Sequence, residues 1–172
     1  MKVNMIYIYK TESLQKSNMK TLKISLVLSV FLLLTSCGLK PIPSAYNYTK
    51  TSMQNIKPDD LGEGSVLIYN GADLLHKMDN TARLNVWIDD KPLGQLGPSE
   101  YLIIDLEEGK HYFEVLHKDV VNMRSNHNVE ITESTKIIKI KPNLTSNTLE
   151  VTNVMPKNFD KFRYVPQRTT QQ

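Results

Sequence analysis

The chain of 172 residues carries 21 Lys and Arg against 18 Asp and Glu, with 40% hydrophobic residues and a single cysteine. One cysteine excludes an internal disulfide, so any folded domain must be held by its apolar core. The formal charge of +3 is unevenly placed: the first 36 residues hold five Lys and one Glu, leaving 16 basic and 17 acidic side chains in 37–172. Without a basic excess that part has no electrostatic footprint for nucleic acid or anionic lipid.

In chain order, the first element is an apolar run over 24–36, preceded by Lys20 and Lys23. As a helix it reaches roughly 20 Å at ~1.5 Å per residue, short of the ~30 Å hydrocarbon core of a bilayer. A basic start, a short apolar middle and small residues before a break describe an export signal. Met19 offers an alternative start to Met1, since 19–23 (Met-Lys-Thr-Leu-Lys) makes a more ordinary signal beginning than the long polar stretch before it.

The break is Leu34-Thr35-Ser36-Cys37-Gly38, which resembles the lipobox of bacterial lipoproteins. The resemblance implies cleavage between Ser36 and Cys37 and acylation of Cys37 on its sulfur and its new amine. Three acyl chains bury tens of methylenes at ~0.8 kcal/mol each, which makes anchoring effectively permanent. Gly38 in place of an Asp after the Cys favours the outer membrane, facing the periplasm, over the inner membrane.

From 37 to 62 the chain carries Pro41, Pro43 and Pro58 among Ser, Thr, Asn and Lys, without an apolar period. Such a segment reads as a flexible tether, with Tyr46 and Tyr48 expected to be exposed to solvent and packing back on the domain as the alternative. From 63 to 155 short β-branched and aromatic runs alternate with turn signals, the pattern of a single small antiparallel all-β sandwich of about seven strands. The runs are 66–69, 84–89, 92–96, 101–106, 111–117, 128–132 and 136–140, with 149–154 as a further edge strand. Three hairpins are expected, pairing 84–89 with 92–96, 101–106 with 111–117, and 128–132 with 136–140. Residues 74–78 read as a helical turn or a long loop, and 156–172 as a C-terminal extension.

Alternation places Leu84, Val86, Ile88, Leu102, Ile104, Leu106, Phe113 and Val115 on the core side, joined by Val66, Ile68, Val129, Ile131, Ile138 and Ile140. The stretch 84–94, Leu-Asn-Val-Trp-Ile-Asp-Asp-Lys-Pro-Leu-Gly, followed by Tyr101-Leu102 and by Leu106-Glu107-Glu108-Gly109-Lys110-His111, resembles the PEGA-type β-sandwich. It is especially similar to uncharacterised bacterial lipoproteins built as signal, Cys, short linker and one such domain. Asp90 stands where that pattern has Gly, and Glu108 where it has Pro. The resemblance implies a fold and no activity.

Chemistry-bearing residues are few. His76, His111, His117 and His127 read as surface histidines near strand ends, and the pairs Asp59-Asp60, Asp89-Asp90 and Glu107-Glu108 as solvated turn charge. No nucleophile elbow, phosphate loop or zinc spacing appears, so no cofactor, no metal and no enzymatic activity are expected. Trp87, Tyr101 and Ile103 fall out of phase with the core, and aligned on one face they would form an apolar patch of the kind that marks a partner site. We favour the alternative that 74–78 or the C-terminal segment covers them. Phe159, Phe162 and Tyr164 are expected to dock on the sandwich. The leading expectation is an envelope lipoprotein held to the membrane through Cys37, with a non-catalytic domain that binds an envelope protein. The alternative is carbohydrate or peptidoglycan binding through exposed aromatics, and a hydrolase needs two carboxylates converging in a cleft.

Overall fold

The structure, a computed structural model, describes residues 39–49, 56–72, 82–119 and 121–165. The chain divides into two units, Met1–Ser36 and Cys37–Gln172, and every described residue belongs to the second. Ser36, Cys37, His76 and the stretch 74–78 lie outside the described residues.

Among the described residues nine strands form two sheets. They are β1 (Ser65–Asn70), β2 (Leu84–Ile88), β3 (Lys91–Leu96), β4 (Glu100–Asp105), β5 (Gly109–Lys118), β6 (Asn122–Ile131), β7 (Ile137–Pro142), β8 (Asn147–Val151) and β9 (Arg163–Tyr164). One sheet has the order β8-β7-β1-β4-β9 and the other β3-β2-β5-β6. The larger sheet is mixed, because β1 runs parallel to β7 and β4 parallel to β9. The fold is an all-β sandwich.

Alternation decides which residues meet. All fourteen residues assigned to the core by parity belong to one buried cluster between the sheets, together with Leu93, Leu96, Tyr48 and Val165. Removing a side chain of this size from water is worth roughly 1.5–3 kcal/mol, so this cluster dominates the stability of a chain with no disulfide.

Pairing departs from expectation twice. β2 and β3 make the expected hairpin, with Ile88 opposite Lys91. Asp89 and Asp90 occupy its two-residue turn at φ 50° and 62°, the left-handed pair that a type I′ turn requires and that Asp adopts more readily than most residues. The strands on either side of Glu107-Glu108, by contrast, belong to different sheets: β4 pairs with β1 and β9, β5 with β2 and β6. The Glu133-Ser134 turn likewise carries the chain from β6 in one sheet to β7 in the other. The hairpin partner of β5 is the ten-residue β6, in register from Gly109 opposite Ile131 to Lys118 opposite Asn122. Its first six residues are polar or flexible, and only alternate burial along the strand marks them as β.

Candidate functional site

The segment expected to be a loose tether is built into the domain over 39–49. Gln95 Nε2 donates to Leu39 O at 3.1 Å and Asn85 Nδ2 to Lys40 O at 2.9 Å. Ala45 N donates to Pro92 O at 2.8 Å and Thr49 N to Ile103 O at 2.9 Å. Tyr46 donates its hydroxyl to Ile88 O at 2.8 Å, and Tyr48, buried rather than exposed, donates to Leu93 O. Burial, and after it the negative charge of Asp89, pushes the Tyr46 phenol up.

The strap therefore starts on the outer face of the smaller sheet, passes the free edge of β3 and ends against β4. Asn85 and Gln95 point outward from that sheet, opposite the core residues Val86 and Leu96. They remain buried because residues 39 and 40 lie over them and because Gln95 Nε2 also donates to Asn85 Oδ1 at 3.0 Å. A register shift between Val86 and Trp87 makes room for the strap: Gly94 adopts φ +127°, and a Cβ there would meet the Tyr48 hydroxyl. Glycine is the residue that satisfies both conditions.

The C-terminal segment closes the same side. Val165 N donates to Tyr101 O at 2.8 Å and Tyr164 donates its hydroxyl to Thr49 O at 2.6 Å, so strap and β9 are joined. The Tyr164 phenol is pushed up to about 12, first by burial and then by the phenols of Tyr48 and Tyr101.

The three residues of the candidate binding face are not brought together. Trp87 lies on the outer face of the smaller sheet, half-buried, with the Arg124 guanidinium 5.5 Å from its ring centroid and Arg124 ion-paired to Glu114. Tyr101 and Ile103 lie on the outer face of the larger sheet, and they are buried. Ile56, Leu61, Met155, Phe159 and Phe162 pack on that face with them, and the Tyr101 ring centroid is 4.8 Å from that of Phe159 and 5.5 Å from that of Tyr164. The docked C-terminal aromatics thus cover the larger sheet as the pattern suggested, while the common patch is corrected: alternation gave the outward facing of all three residues and not the sheet each belongs to.

Nor are the histidines a uniform surface set. His117 is buried, with Nδ1 2.8 Å from Asn147 Oδ1, and Asn147 Nδ2 donates to Val115 O and Met123 O at 3.1 Å each. This amide ties the end of β8 to β5 and β6 across the sandwich. His111 Nδ1 lies 2.6 Å from Asp89 Oδ2, and Asp89 Oδ1 accepts from Tyr112 N at 2.8 Å. Burial alone would raise the Asp89 carboxyl, but the Tyr112 amide, the His111 ring and the Lys91 charge together hold it below the ordinary carboxylate range. These contacts lock the β2–β3 turn onto β5, a structural task for both residues.

On the opposite lateral side, β6 and β8 are the sheet edges, each paired on one side only. Between them lies an open hollow of about 570 Å³ lined by Asn126, His127, Asn128, Val129, Glu130, Leu149 and Val151. Burial holds the His127 ring below its ordinary value, with a hydrogen bond from the ring to the Asn147 main chain acting the other way. Val151 is 44% exposed and Val154 68%. Among the described residues no three His, Cys, Asp or Glu side chains are grouped to hold a metal ion, and no helix is long and apolar enough to cross a membrane.

Comparison with protein-family models, with curated proteins and with solved structures finds no match.

Proposed function

We propose that this chain is a lipid-anchored lipoprotein of the bacterial envelope, held through Cys37 in the outer membrane, whose β-sandwich is a non-catalytic module that binds another envelope protein. One observation carries the reading: the bond that the lipobox pattern marks for cleavage, between Ser36 and Cys37, is also the boundary between the two units of the chain. Cleavage there would release the second unit with the acylated residue as its first.

The open β6/β8 side is the surface on which a protein partner would dock. Two edge strands offer main-chain groups that a partner's strand can pair with, and exposed Val151 supplies apolar area beside them. Sugar stacking between Trp87 and Tyr101 has no geometric support, because the two rings lie on different sheets and Tyr101 is covered.

The test has two parts. Mass analysis of the native membrane-extracted product is expected to show a chain beginning at Cys37 and carrying acyl groups. A photo-crosslinking side chain at His127, which lines the hollow, is expected to give one discrete protein adduct in intact cells, whereas the same group at Lys57 gives none. Absence of any adduct from position 127 would remove the interaction role.

A further inference from the structure

We infer that the outer face of the four-stranded sheet, the face bearing Trp87, Tyr112 and Arg124, is held against the lipid bilayer surface. The inference rests on the acylated Cys37 of the preceding proposal and adds to it the orientation of the domain. Its basis is the length of chain between the anchor and the first docked residue. A free tether over 37–62 would let the domain wander about 25–30 Å from the bilayer, at ~5–6 Å times the square root of the residue number. Leu39, the first described residue, is already engaged, its carbonyl taken by Gln95. Two residues span at most ~7 Å when fully extended, so the acyl chains leave the protein beside Asn85 and Gln95.

Those side chains project from the outer face of the smaller sheet. Trp87 is the next outward residue on β2 after Asn85, roughly 7 Å along the strand at ~3.3 Å per residue. The strap gives no freedom to swing away. Seven hydrogen bonds hold it at Leu39, Lys40, Ala45, Tyr46, Tyr48 and both main-chain groups of Thr49.

The composition of the face suits the bilayer boundary. Trp and Tyr settle at the headgroup level, and Arg and Lys meet lipid phosphates there. Trp87 with Arg124 over its ring, Tyr112 at 38% exposure and Lys110 on β5 provide these groups, and Glu114, ion-paired to Arg124, and Glu130 share the face, all outward by parity. The outer face of the larger sheet is covered by the C-terminal aromatics. This orientation also leaves the β6/β8 hollow on a lateral side, open to a protein partner while the domain lies on the membrane.

Trp87 is the only tryptophan in the chain, which makes the face directly readable. Lipoprotein extracted from membranes is reconstituted into phosphatidylethanolamine and phosphatidylglycerol vesicles containing headgroup-labelled nitroxide lipid, and tryptophan quenching is measured. A second protein carries Trp87→Phe and Glu150→Trp, which moves the indole to the outer face of the larger sheet. Quenching at Trp87 is expected to exceed that at position 150 by about threefold or more, since outer faces of stacked sheets lie on the order of 20 Å apart. Equal quenching at the two positions, or stronger quenching at position 150, in protein whose mass shows the acyl groups overturns the orientation and leaves the anchor standing. An unmodified Cys37 with an intact leader in the same mass spectrum overturns the anchor itself and, with it, the orientation.

Discussion

The two lateral sides of this sandwich close by different means. Along β3 and β4, two segments from opposite ends of the chain seal the gap between the sheets: the 39–49 strap buries Tyr48 in the common core, and β9 adds a parallel strand to β4. Along β6 and β8 the gap is bridged by the His117–Asn147 pair and otherwise left as an open hollow with Val151 at its rim. A small sandwich must satisfy two pairs of strand edges. Here one pair is consumed by the fold, and the other remains available.

The sharpest way to break this contrast is to remove the ring that fills the closed side. Tyr48→Ala is expected to lose ~3 kcal/mol or more, the cost of truncating a buried aromatic, read as a lower urea midpoint at unchanged slope. Gly94→Ala should come next, at about 1–3 kcal/mol, because the new Cβ combines a left-handed backbone with a clash against the Tyr48 hydroxyl. If Gly94→Ala were neutral, the strap would not pass where it is described. Tyr48→Phe keeps the ring and deletes the hydroxyl with its hydrogen bond to Leu93 O, so ~1 kcal/mol is expected. On the open side Val151→Ala should change stability by no more than ~0.5 kcal/mol, while weakening any adduct formed from position 127. A loss as large as that of Tyr48→Ala would mean that the open side is structural after all.

The smallest effect is one of pH. The His127 ring is held below its ordinary 6.5, chiefly by burial, so between that value and its folded value the unfolded chain binds a proton that the native chain does not. Stability is then unaffected above pH 6.5 and falls as the pH drops below it, the sign for a base kept neutral by the fold. His127→Asn is expected to flatten that part of a thermal-midpoint profile. An unchanged slope would show that the hollow is wetter than its lining implies.

How much of this was legible in the sequence follows from what periodicity encodes. Period-two alternation reports which side of a strand a residue faces, and it placed Leu84, Phe113, Ile138 and the rest of the core correctly. It is silent about which sheet a strand joins. Leu106-Glu107-Glu108-Gly109 carries the composition of a hairpin turn, yet it crosses from one sheet to the other, and Trp87 and Tyr101 are separated by the earlier crossing between β3 and β4. β6 was half missed because Met123, Ser125 and His127 line an open side where burial is partial and polar residues suffice. The strap was missed for a different reason. It has no apolar period, and its attachments are two tyrosine hydroxyls, main-chain groups, and the amides of Asn85 and Gln95 forty-five or more residues away. One signal was present: two tyrosines spaced by two in a Pro-rich stretch, opposite a glycine within a strand.

Everything distinctive here follows from residues 39–49 being part of the fold. Amide hydrogen exchange at Ala45 and Thr49 tests that most directly, because each N–H is bonded to a strand carbonyl, Pro92 O and Ile103 O. The account predicts protection at both amides within about tenfold of that in β3 and β4, as expected for one cooperative unit. Exchange at the rate of a free peptide, with β3 and β4 still protected, would contradict it and return the segment to a loose leash.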